Sequence, residues 1–137
     1  MLALSTLSIG LIAAPVHAQE RSEPSHDLIY LALVDRFANG EEDREGTVDP
    51  TDPQAFHGGD LQGIIDRIDH LQAMGVRTLW ISPVAQSQTA PVGPWGAYHG
   101  YWITDHRAVD TRFGDFETLA RLGQELHQRD MRLVLDM

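Results

Sequence analysis

The chain has 137 residues, 42% of them hydrophobic, with a formal net charge of -10 and a pI near 4.9. Such a length suggests one domain with a sizeable core, and the acidic balance excludes non-specific nucleic-acid binding, which needs a basic surface to displace phosphate counterions. There is no cysteine, which excludes a disulfide framework, a thiolate metal site, a cysteine nucleophile and a lipoprotein-type anchor.

Residues 1–18 read as an export signal. Leu2 to Pro15 is apolar, and Val16-His17-Ala18 places small residues for cleavage after Ala18. No Lys or Arg precedes the apolar run, and the competing reading is an amphipathic N-terminus. The run falls short of the roughly 20 apolar residues of a membrane span. The expectation is a secreted protein, periplasmic or extracellular, with no membrane attachment after cleavage and a mature part over 19–137.

Strand and helix signals then alternate. Leu28 to Val34 is a continuous apolar run, as for a parallel strand buried on both faces. It ends at Asp35-Arg36-Phe37, and a loop rich in Gly, Pro, Asp and Glu follows. Leu61, Ile64, Ile65, Ile68, Leu71 and Met74 recur at helical spacing, with Asp60 as N-cap and Gly75 as stop. Val76 to Ile81 is a second strand. A second long loop leads to a helix marked by Phe116, Leu119, Ala120 and Leu126, capped by Asp115. Met131 to Leu135 begins a third strand. This β-α-β-α-β order predicts a parallel sheet covered by helices, either doubly wound or a (β/α)8 barrel. Long, chemically loaded loops after each strand fit the barrel, whose active sites lie at the C-terminal strand ends.

Two loops carry candidate chemistry. His57-Gly58-Gly59-Asp60-Leu61 opens a helix and invites comparison with phosphate-binding turns. A dinucleotide fingerprint needs glycines at another spacing directly after the strand, so tight packing of loop on helix is the stronger reading. The preceding loop crowds Asn39, Glu41, Glu42, Asp43, Glu45, Asp49 and Asp52 against Arg44. Calcium takes six to eight oxygen ligands, although an acidic run is more often a solvated surface. In the second loop, Tyr98-His99-Gly100-Tyr101-Trp102 gathers three rings and an imidazole. Rings offer apolar faces to the C–H faces of a sugar, and polar tips reach its hydroxyls. The alternative is a loop packed on its own domain. His70 and His127 read as surface residues, and His106 lacks the spaced partners of a zinc site.

Tyr-His-Gly-Tyr-Trp, followed by Thr-Asp and Val-Asp-x-Arg-Phe-Gly, strongly resembles the α-amylase family, glycoside hydrolase family thirteen. Phe-His-Gly-Gly-Asp-Leu-Gln-Gly and Gly-Val-Arg-Thr-Leu-Trp-Ile-Ser-Pro resemble two further motifs of that family, and the likeness runs from about Asp27 to Met137. The resemblance implies an α/β chain that is the N-terminal part of a (β/α)8 TIM barrel, about three strands and two helices, cut before closure. It implies that Tyr101 stacks on the sugar whose bond is cut, that His99 hydrogen-bonds a hydroxyl, and that Trp102 and Asp136 support the substrate site. It implies calcium held by Asn39, Glu41, Asp43, Gly58 and Asp60, and Trp80 as buried bulk. The activity implied is retaining cleavage or transfer of α-glucosidic bonds in an α-glucan. The family's three catalytic carboxylates follow strands four, five and seven, so none falls within these residues. The alternative is a non-catalytic relative that binds carbohydrate or serves a structural role.

Overall fold

The computed structural model describes residues 27–41 and 46–137. The export signal expected at 1–18, and Asp43 in the acidic loop, lie outside the described residues. Three strands form a parallel sheet: β1 (Leu28–Ala32), β2 (Val76–Ile81) and β5 (Arg132–Leu135), in the order β1-β2-β5. Leu31 pairs with Trp80 and Trp80 with Val134, so the registers of the two ladders coincide.

β1 is shorter than its apolar run. The backbone turns at Leu33 into α1, a single turn over Val34–Phe37, and the Val34 N–H donates to Ser82 Oγ at 3.0 Å. That bond ties the end of β1 to the end of β2 and places Asp35 and Arg36 at the C-terminal rim of the sheet. β1 is also not buried on both faces, as its composition suggested: Leu28, Ile29 and Leu31 are exposed. Trp80 corrects the expectation of buried bulk, being 38% exposed. Strand alternation sends Leu31, Trp80 and Val134 to one uncovered face. Leu79 and Ile81 alternate to the other face and are fully buried with Leu61, Ile64, Leu71 and Leu122.

The first helical run is broken in two. α2 covers Leu61–Ile65 and α3 covers Ile68–Ala73, with Arg67 at φ -113° and ψ 5° between them. Leu61, Ile64, Ile68 and Leu71 remain buried in both pieces, so the periodicity read the packed face correctly and missed the interruption. Asp60 caps α2, accepting from Gly63 N at 2.6 Å, and Gly75 ends the run at φ +86°. α4 (Phe116–His127) is capped by Asp115, which accepts from Thr118 N at 2.7 Å. Its buried stripe is Thr118, Leu122 and Leu126, while Phe116 is exposed. Arg121 of α4 donates to the Gln62 side chain on α2, joining the two helices.

The second long loop holds structure that its sequence did not announce. β3 (Ala85–Ser87) and β4 (Ile103–Val109) pair antiparallel, with irregular register. β3 is only three residues long and β4 mixes polar and apolar positions without clean alternation, so neither gave a strand signal. This ribbon stands beside the C-terminal ends of β1, β2 and β5, and the aromatic segment is suspended between its two strands.

Candidate functional site

The site assembles where the second loop meets the end of β5. The Tyr101 hydroxyl donates to Asp136 Oδ2 at 2.8 Å, although 35 residues separate them in sequence. That bond, followed by burial and the Asp136 charge, raises the Tyr101 phenol above its ordinary pKa of 10.0, so it stays protonated at neutral pH. The ring itself is half exposed, at 49%. Asp136 is set at the strand end by its own N–H, which donates to Ile81 O at 3.1 Å.

His99 is oriented from within the same turn. The Tyr101 N–H donates to His99 Nδ1 at 3.0 Å. With Nδ1 accepting, the neutral imidazole carries its proton on Nε2, which is then a donor for a hydroxyl. Burial, and secondarily the positive charge of Arg112, lowers the His99 pKa below 6.5 and favours this neutral form. The His99 ring lies 4.7 Å from Trp102, edge to face, and 5.7 Å from Tyr101. His99, Tyr101, Trp102 and Asp136 are therefore brought together as one patch.

Gly100 makes the turn possible. It sits at φ +79°, and a Cβ there would lie 2.1 Å from Pro83 O. Its carbonyl accepts from Ser87 Oγ at 2.7 Å. Behind it is a buried ion pair that the Asp-x-Arg spacing carried but whose role sequence reasoning missed. Arg112 donates through Nε and Nη2 to Asp110 at 2.9 and 2.8 Å, and through Nη1 to Ala97 O at 3.1 Å. Asp110 also accepts from Ser87 N at 3.1 Å. Asp110 and Arg112 are 1% and 6% exposed, so the pair is desolvated and fully engaged in holding the loop. Beside it, a cavity of about 700 Å³ opens between the first and second loops, lined by Phe56, Ala97, Tyr98 and Arg112 among others. His99, Tyr101 and Asp136 do not line it. Tyr101 is half exposed, and His99 and Asp136 are partly exposed.

Of the expected metal ligands, Asn39, Glu41, Gly58 and Asp60 fall among the described residues. Besides capping α2, Asp60 accepts from Gly40 N at 3.1 Å and from Glu41 N at 2.9 Å, tying Gly40 and Glu41 to the helix start. A Cβ on Gly58 would lie 2.8 Å from the Asn39 side chain. Asn39, Gly58, Asp60 and the Glu41 backbone therefore lie near one another. Among the described residues, no group of three or more His, Asp or Glu is placed to hold a metal ion. The Gly-Gly pair itself is a packing device: a Cβ on Gly59 would lie 2.1 Å from Val34 O.

Comparison with known proteins places these features in context. The profile described as α-amylase, catalytic domain, matches residues 31–137. "Alpha-amylase 2" of Schwanniomyces occidentalis is 36% identical over 143 residues, covering 99% of this chain and 27% of that protein. An α-amylase from Anoxybacillus superposes with a TM-score of 0.74 at 43% identity, covering 81% of this chain and 23% of that one. A γ-CGTase from alkalophilic Bacillus clarkii superposes with a TM-score of 0.75 at 35% identity, covering 81% and 18%. The chain spans about a quarter of the length of the fungal relative it matches.

Proposed function

Because the chain belongs to the α-amylase family and covers the N-terminal part of its (β/α)8 catalytic barrel, we propose that the whole protein is a secreted α-glucan hydrolase or transglycosylase with a retaining mechanism. The observation that carries this reading is the Tyr101–Asp136 hydrogen bond beside His99, at the C-terminal ends of the parallel strands. Active sites of this barrel lie at that end. The similar solved structures include both an α-amylase and a γ-CGTase, so the reading spans hydrolysis and transfer.

Each residue has a task that its geometry supports. The half-exposed Tyr101 ring presents a face on which a glucose ring stacks, and Asp136 fixes its rotation through the hydroxyl. Neutral His99 donates from Nε2 to a sugar hydroxyl. Trp102 backs the imidazole and keeps it from swinging. None of these groups attacks the anomeric carbon or protonates the leaving oxygen. Retaining chemistry needs a nucleophile and an acid about 5–5.5 Å apart, and the family supplies these and a third carboxylate after strands four, five and seven. The segment described here therefore binds and orients the sugar as it flattens toward an oxocarbenium-like transition state.

Calcium belongs to the same proposal. Asn39, Glu41, Asp43, Gly58 and Asp60 would hold it, and it would supply positive charge to an acidic loop that otherwise repels itself. Its role is structural, bracing the loop against α2. Export through residues 1–18 completes the reading, and no helix among the described residues is long and apolar enough to cross a membrane.

The test is to express the full-length protein and assay it on maltopentaose and starch, following the anomeric configuration of the first product by NMR. Initial release of the α-anomer supports retention. A folded protein that binds maltopentaose without turnover identifies a non-catalytic relative. One that does neither overturns the α-glucan reading.

A further inference from the structure

We propose that Arg36 is a positioning residue, which fixes the sugar-facing segment Tyr98–Trp102 from across the neighbouring loop by holding the Tyr98 ring under its guanidinium. The Arg36 Cζ lies 3.8 Å from the Tyr98 ring centroid, well within cation–π range. The guanidinium is not free to follow a moving ring. Its Nε donates to Asp35 Oδ2 at 2.6 Å, and its Nη2 donates to Pro53 O at 2.8 Å and Ala55 O at 3.0 Å. Nη1 lies 3.1 and 3.2 Å from the two ring nitrogens of His57.

Asp35 is itself immobilised, being 2% exposed and accepting from His57 N at 2.7 Å and Gly58 N at 3.2 Å. The guanidinium plane is thus set by Asp35 of α1 and by Pro53, Ala55 and His57 of the first loop, and is offered as a rigid seat to a ring on the second. Tyr98 lies edge to face with His99, ring centroids 5.5 Å apart. On the other side of His99, Gly100 is held by Ser87. His99 therefore sits between two anchors, and Arg36 supplies the one that reaches across from α1. Arg36 touches no substrate in this arrangement. It acts through Tyr98. Lysine cannot replace it in kind, because an ammonium lacks the planar fork that meets several acceptors while stacking on a ring.

The inference rests on the α-glucan reading only for its activity measurement, so the experiment carries a second readout that does not. In the full-length protein, amide hydrogen exchange over 98–102 and kcat/KM on maltopentaose are measured for Arg36→Ala, Arg36→Lys, Tyr98→Leu and the two Arg36 variants combined with Tyr98→Leu. Arg36→Ala is expected to speed exchange over 98–102 while leaving 76–81 unchanged, and to lower kcat/KM by about tenfold, as for a lost cation–π contact in a partly desolvated site. Arg36→Lys should fall between Arg36→Ala and wild type. In the Tyr98→Leu background, either Arg36 change should have little further effect, because the ring it acts through is gone. If Arg36→Ala does not fold, the Lys series decides alone. Unchanged exchange over 98–102 overturns the inference, and so do fully additive effects of Arg36 and Tyr98. Faster exchange in a protein without action on maltopentaose leaves Arg36 as a positioning residue and removes the α-glucan reading instead.

Discussion

The Tyr101 hydroxyl donates to Asp136 Oδ2 at 2.8 Å, joining the aromatic loop to the end of β5. A phenol that donates to a carboxylate loses that bond on ionising, and the phenolate then faces the carboxylate charge. Tyr101 should accordingly titrate above 10.0. Asp136→Asn should return its titration toward 10.0. The difference in ultraviolet absorbance between each protein and its Tyr101→Phe counterpart isolates this one phenol. Equal midpoints with Asp and Asn at position 136 would show that the bond is not kept in solution.

His99 makes a second pH-dependent contribution. Burial lowers its pKa below the ordinary 6.5, so the unfolded chain takes up a proton before the folded one does. Where the unfolded state binds more protons, stability rises with pH. The stability that His99 contributes is therefore present above pH 6.5 and declines as pH falls through the window below it. His99→Gln should flatten the dependence of unfolding free energy on pH in that window, without changing it above neutrality. An identical slope in wild type and variant would place His99 in a more exposed setting than the structure gives.

The Asp110–Arg112 pair sets a prediction for stability. Arg112→Ala leaves the Asp110 carboxylate buried beside Ser87 N with its main partner gone. Breaking a buried pair on one side costs about 3–5 kcal/mol, which should appear as a lower unfolding midpoint in denaturant. Arg107→Ala, in an ion pair that is largely exposed, should change the midpoint little. Similar losses in the two variants would contradict the claim that Arg112 anchors the loop from the interior.

Calcium is tested by a substitution that spares the helix cap. Asp60→Asn retains an oxygen to accept from Gly63 N but removes the charge. In the wild-type full-length protein, a chelator should lower Tm and added calcium should restore it, because a ligand bound only by the native state stabilises by RT ln(1 + [L]/Kd). Asp60→Asn should weaken that response. A response of wild-type size in the variant would locate the metal elsewhere, and no response in the wild type would remove calcium from the account.

Local patterns carried much of this architecture, and non-local geometry carried the rest. The caps at Asp60 and Asp115 and the stop at Gly75 were legible because each depends on residues within one turn. The strand Val76–Ile81 was read with the bounds that the structure gives it. Trp80 was expected to be buried because of the family motif it stands in, and a motif does not say which face of its strand is covered. The break at Arg67 was hidden because both helical pieces share one apolar stripe. At the site, the family wording singled out His99, Tyr101, Trp102 and Asp136, and the structure gathers them. Sequence could not show that Tyr101 and Asp136 bond directly, nor that Arg36 lies over Tyr98, since both pairings join segments far apart in the chain. The ribbon of β3 and β4 escaped notice for a related reason. Its register is irregular, and Asp110, held by Arg112, accepts from the Ser87 N–H at the end of β3.

The central claim is that Tyr101 presents its ring to the reacting sugar, and kcat/KM with Tm for Tyr101→Ala and Tyr101→Phe tests it most directly. In the full-length protein assayed on maltopentaose, the proposed function predicts that Tyr101→Ala loses about 10- to 100-fold in kcat/KM, equivalent to about 1–3 kcal/mol of aromatic contact. Tyr101→Phe keeps the ring face and should lose far less. Tm should change little in either, because the ring is half exposed. A Tyr101→Ala enzyme with native kcat/KM, or one that loses Tm while keeping its activity per folded molecule, would contradict the account.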